Sequence, residues 1–109
     1  MSTLRRGPDV VIANGATVSG AVDLGEGMLC GLQFATMTGT AITIQAAEDI
    51  AGTYVLVALR GGAFSITMAS DRYIALLSEE TRGLRYIKLV SGSAEGAART
   101  IQTYVRNLV

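Results

Sequence analysis

The sequence predicts an all-β chain: an antiparallel β-sandwich of eight or nine short strands in one domain. Three observations carry this. Thirteen glycines and one proline punctuate 109 residues, and turn signals spaced about 8 to 12 residues apart between short apolar runs mark sandwiches and barrels. Those runs alternate apolar and polar side chains, the two-residue period of a half-buried strand. Helical signal is scarce. Residues 78–81 (SEET) offer Ser78 as a cap and acids for the positive end of one turn, which Gly83 closes. Residues 94–98 (AEGAA) read as a hairpin loop because Gly96 interrupts the alanines.

Residues 10–13 (VVIA) lead into the turn signal Asn14-Gly15. Residues 16–24 (ATVSGAVDL) put Val18, Val22 and Leu24 on the face of Gly20, with Thr17, Ser19, Ala21 and Asp23 opposite. Residues 28–34 (MLCGLQF) group Met28, Cys30, Leu32 and Phe34, and residues 41–47 (AITIQAA) group Ile42, Ile44 and Ala46. Residues 53–59 (TYVLVAL) are apolar on both faces, as in a central or doubly covered strand. A turn at Arg60-Gly61-Gly62 leads into residues 64–68 (FSITM). Runs at 72–77 (RYIALL), 85–90 (RYIKLV) and 99–105 (RTIQTYV) complete the set. The expected core is Val18, Val22, Leu32, Phe34, Ile42, Ile44, Leu56, Phe64, Ile66, Ile74, Ile87, Leu89, Ile101 and Val105. Cys30, at period two from Leu32 and Phe34, is expected to be buried and unreactive, a small hydrophobe in effect.

Composition narrows the chemistry. Half the residues are hydrophobic and 17% are charged, the opposite of a disordered chain. Nine basic and nine acidic residues cancel, so no global field draws in nucleic acid or an anionic membrane. With no histidine, Ser-His-Asp and Cys-His systems lack their imidazole. One cysteine supports neither a zinc site nor an internal disulfide. No apolar run reaches the roughly 18 residues of a membrane-spanning helix, and the opening MSTLRRGP has no apolar run behind it to make a secretory signal. The carboxylate pairs Glu48-Asp49 and Glu79-Glu80 read as solvated loops rather than a glycosidase pair. Gly15 and Gly20 lack the Lys-Ser/Thr of a phosphate loop. The expectation is a protein without enzymatic activity, cofactor or metal.

Residues 1–9 read as an N-terminal arm and residues 10–109 as the sandwich domain. In the arm, Arg5, Arg6 and Pro8 are the candidate contact residues for a partner or a neighbouring subunit, because guanidinium groups pair well with interface carboxylates. Few charges and many small residues favour close approach of a second surface, and open sheet edges need covering. Self-association is therefore expected, with a ring or trimer favoured over a monomer.

The stretch from Ile12 to Gly25 (IANGATVSGAVDLG) resembles the opening strands of small virion proteins encoded beside capsid genes in tailed phages, prophages and gene transfer agents. The segments at 32–45 (LQFATMTGTAITIQ), 70–76 (SDRYIAL) and 83–93 (GLRYIKLVSGS) extend the resemblance over most of residues 10–107. It departs at residues 48–54 (EDIAGTY), where relatives often carry a Ser-x-Asp-Gly-x-x-Tyr turn. The resemblance implies a β-sandwich, with a jelly roll among the arrangements it admits. It further implies a structural virion protein on the capsid surface, present in the host cytoplasm during assembly. There it would attach to the major capsid protein or other virion proteins as a decoration, cement or head-fibre component. The alternative is a carbohydrate- or receptor-binding β-sandwich, since residues 85–90 also resemble a late strand of discoidin-like domains. Against it stand the absence of tryptophan and the tendency of strand tyrosines to pack against the sheet.

Overall fold

The computed structural model describes residues 4–59, 62–67, 70–76, 81 and 83–107. Among them run eleven strands: β1 (Arg5–Ile12), β2 (Val22–Asp23), β3 (Gly27–Gln33), β4 (Ala41–Ala47), β5 (Val55–Leu56), β6 (Ala58–Leu59), β7 (Gly62–Ala63), β8 (Ser65–Thr67), β9 (Tyr73–Ala75), β10 (Tyr86–Ser91) and β11 (Arg99–Asn107). The expected all-β sandwich is what the chain forms. One sheet has the order β1-β11-β3-β9 and the other β2-β10-β4-β5, with β8 also paired to β4. All pairings within both sheets are antiparallel. Strands β6 and β7 form a separate two-stranded ribbon.

Strands β5 to β7 make an excursion between β4 and β8. Without it, eight strands remain, and numbered in sequence they lie 1-8-3-6 in one sheet and 2-7-4-5 in the other. That order is a jelly roll, two interlocked Greek keys. On β4 the excursion and the main path share one edge: β5 pairs with Gln45 and Ala46, β8 with Ala41 to Thr43.

Period-two burial is cleanest in the middle strands. β4 buries Ile42 and Ile44, β10 buries Ile87 and Leu89, and β11 buries Ile101 and Val105. Phe34, Leu32, Phe64 and Ile66 fill the same core. It also contains Val10, Ile12, Leu24, Leu29 and Met37, none of which was in the expected set. Val22 and Ile74 pack against the core only partly buried.

Three expectations are corrected. Val18 is 40% exposed while Ser19 is buried, because the stretch before β2 changes phase along β10: Val18 bridges Val90 and Val22 pairs with Ile87, so three residues of this stretch oppose two of β10. The Ser19 amide donates to the Leu89 carbonyl at 2.9 Å, its hydroxyl accepts from the Leu89 amide at 2.9 Å, and the Gly20 amide reaches Val11 of the other sheet. Leu56 is exposed and Val57 packs inward in its place. The run 53–59 belongs to an edge, and with both faces apolar its alternation could not say which residue turns in. Cys30 is only half-buried. In β3, Leu29 faces Val105 and Gly31 faces Tyr104, so Cys30 is the extra residue of a β-bulge that reverses the alternation and brings both Leu29 and Leu32 inward.

A second bulge lies in β1, where Gly7 and Pro8 oppose one residue between the Arg6 and Asp9 pairings. A threonine hydroxyl donates to a carbonyl at each bulge: Thr103 to Pro8 at 2.7 Å and Thr81 to Leu29, next to Cys30, at 2.5 Å. From Arg5 onward, the stretch read as an arm is the edge strand of the first sheet. Proline fits there because an edge bulge needs no amide from it. The expected helical turn at 78–81 falls, apart from Thr81, outside the described residues, as do Glu79 and Glu80.

Candidate functional site

Register sets the outer face of the β1-β11-β3-β9 sheet. Asp9, Gln102, Gln33 and Tyr73 stand in one row across the four strands, and Arg6, Tyr104, Gly31 and Ala75 in the next. Gly31 lies beneath Tyr73, and a Cβ there would overlap the Tyr73 hydroxyl. The missing side chain lets the ring lie down on the strand, edge to face with Tyr104 at 5.4 Å between centroids. Tyr73 nevertheless stays 44% exposed, and burial of the remainder pushes its phenol pKa above the ordinary value. Next to it, Leu4, Met28, Cys30, Leu76 and Arg106 complete a shallow depression. Arg106 is exposed and has no ion-pair partner among the described residues.

The three contact residues expected from sequence lie on the edge strand β1, with Arg6 alone of the two arginines in a row of this outer face. Arg5 stands opposite Val105 and Arg6 opposite Tyr104, both exposed. Arg6 is matched within its own strand by Asp9 at 2.8 Å, and that hydrogen bond raises the guanidinium pKa. Pro8 is half-buried in the bulge.

Past the end of β4, beside the edge strand β5, the chain projects. Glu48, Asp49 and Ile50 are exposed, and so are Val55 and Leu56. The Gly52 amide closes this turn on the Asp49 carbonyl at 3.0 Å, and the Tyr54 hydroxyl donates to the Ile50 carbonyl at 2.9 Å. The Lys88 ammonium sits 4.6 Å from the Tyr54 ring centre. Burial, then Asp49, raises the Tyr54 pKa. Glu48 and Asp49 form no salt bridge among the described residues, in keeping with the solvated loop expected of the pair. Elsewhere on this sheet Arg85 pairs with Asp23 at 3.0 Å, and that hydrogen bond, then one from the Gly25 amide, lowers the Asp23 pKa.

Glu95 is the one carboxylate among the described residues that is buried. It accepts from the Thr38 and Gly39 amides at 2.8 and 3.0 Å, from the Ser91 hydroxyl at 2.7 Å and from Arg99 Nε at 3.1 Å. Burial opposes its charge, but the four donors outweigh burial and hold the pKa at about 2. It ties the β10–β11 connection to the β3–β4 connection, a structural task. The sequence signal was faint: an acid four residues before Arg99 in a small-residue loop. Tyr73 on Gly31 had a clearer one, a glycine inside an apolar strand, which often marks close approach.

Among the described residues, no three of the His, Cys, Asp and Glu side chains gather as metal ligands would. The arrangement can bind through faces and edges: an aromatic-amide face with a cation beside it, and an acidic, apolar projection. No family model, no curated protein and no solved structure matches this chain.

Proposed function

We propose that this chain is a structural virion protein of a tailed phage or phage-like particle, attached to the capsid as a decoration, cement or fibre-base component. The observation that carries the reading is the jelly-roll strand order, an architecture recurrent in viral capsid domains. It joins the resemblance of residues 10–107 to small virion proteins. The argument is one of likeness in fold and pattern; the exposed faces supply surfaces for docking. Arg5 and Arg6, on the edge strand, are the contact residues proposed for carboxylates of the shell. The test is co-sedimentation with empty capsids at moderate salt, comparing the wild-type chain with Arg5→Glu/Arg6→Glu. Loss of binding in the variant supports the edge contact, and binding that persists removes it. Failure of the wild-type protein to sediment removes the capsid as partner.

One observation favours the alternative, a carbohydrate-binding module: the exposed Tyr73 ring at the end of a row that continues through Gln33 and Gln102. Jelly rolls also occur in lectins. A glycan array with wild type and Tyr73→Ala separates the two readings, because a capsid-binding role predicts no glycan signal that depends on Tyr73.

A further inference from the structure

We propose that copies of this chain associate head to tail, the projecting turn of one copy seating in the Tyr73 depression of the next. Both patches expose apolar surface that a lone molecule leaves in water. The projection presents Ile50, 52% exposed, and at the sheet edge beside it β5 presents Val55 on one face and Leu56 on the other, 63% and 49% exposed. The depression presents Leu4 and Tyr73, each 44% exposed, with half-buried Met28 and Cys30. Clusters of this kind mark interaction surfaces, whereas scattered apolar residues do not.

Charge selects the occupant. The projection carries Glu48 and Asp49, the depression carries Arg106, and none of the three has an ion-pair partner among the described residues. Either patch placed against its own copy sets like charges face to face, which disfavours a contact. The projection against the depression sets two carboxylates beside one guanidinium, with apolar side chains between them. The patches belong to different sheets, one beside the edge strand β5 and the other on the outer face of β3 and β9. Such a contact is heterologous: each copy offers one half of it to each neighbour, the geometry of rings and chains. The contact needs no capsid, so its failure leaves capsid attachment standing and its success does not establish it.

Sedimentation velocity on the purified full chain, over a wide concentration range at low salt, tests it. The wild type is expected to show concentration-dependent association. Arg106→Glu, and separately Glu48→Arg/Asp49→Arg, should each weaken it by about tenfold or more. The combined triple variant restores opposite charges across the contact and should recover most of the loss. Arg106→Gln, which removes charge without reversing it, should fall between wild type and Arg106→Glu. All four are surface changes, checked for folding by far-ultraviolet circular dichroism. A wild type that stays monomeric throughout overturns the proposal. So do single-patch variants that associate like wild type, or a triple variant no better than its parents.

Discussion

A carboxylate removed from water is tolerated only where other donors replace the water, and Glu95 has four. Its pKa, held at about 2 against an ordinary 4.5, makes it a contributor to stability above the ordinary value. That contribution drains away as pH falls from 4.5 toward 2, at a total of about 3 kcal/mol. Glu95→Gln keeps the shape but turns an amide donor toward other donors. It should lower stability by roughly 2 to 4 kcal/mol near neutral pH and flatten the acid limb, measured by urea unfolding near pH 7 and near pH 3. Parallel acid limbs in wild type and variant would assign the acid sensitivity to other groups. Cys30 is a second case where a single residue departs from its pattern. Displaced by its bulge and half-exposed, it should react with a thiol reagent without denaturant, more slowly than in the unfolded chain. A native protein that resists labelling entirely would return Cys30 to the interior.

Strands were legible where alternation was unbroken and neighbours lay on both sides. The run 41–47 coincides with β4, and β10 and β11 begin within a residue of the expected positions. Legibility failed where the backbone changed phase. One inserted residue in β3 exchanged Leu29 for Cys30 on the core face, and nothing in residues 28–34 distinguishes that bulge from a regular strand. Residues 17–20 alternate like a strand, yet Ser19 turns inward because its hydroxyl replaces a carbonyl as acceptor for Leu89. The same logic governs the candidate surface. Tyr73 was visible in sequence, but its row with Gln33 and Gln102 depends on a register that only tertiary pairing sets. Ser19→Ala leaves the buried Leu89 amide without its acceptor. It should lower stability by about 1 to 3 kcal/mol and speed hydrogen exchange at Leu89. Val18→Ala, at an exposed position one residue away, should change stability by less than about 0.5 kcal/mol. Equal effects at the two sites would mean that residues 17–20 pack as the simple alternation suggested.

At the scale of the whole molecule, the order of synthesis and the order in space are opposed. β11, the last strand in sequence, lies between β1, the first, and β3. It supplies Ile101, Thr103 and Val105 to the interior and hydrogen-bonds along both edges. Until it is in place, β1 has no partner in its sheet and β3 keeps one bare edge. Loop closure over nearly the full chain must therefore precede most of the burial in this sheet, which makes folding slow compared with a helical chain of equal length. A fragment of residues 1–98 should consequently be unfolded by circular dichroism, although it holds ten of the eleven strands found among the described residues. A synthetic peptide of residues 99–109 offers the missing edges and apolar side chains, in the manner of strand complementation. Mixed with the fragment, it should restore a β spectrum and a cooperative urea transition whose midpoint rises with peptide concentration. The same peptide with Ile101→Asp and Val105→Asp should restore neither. A fragment 1–98 that melts cooperatively by itself would show that the β2-β10-β4 sheet, with β1 and β3 folded against it, suffices without the central strand of its partner sheet.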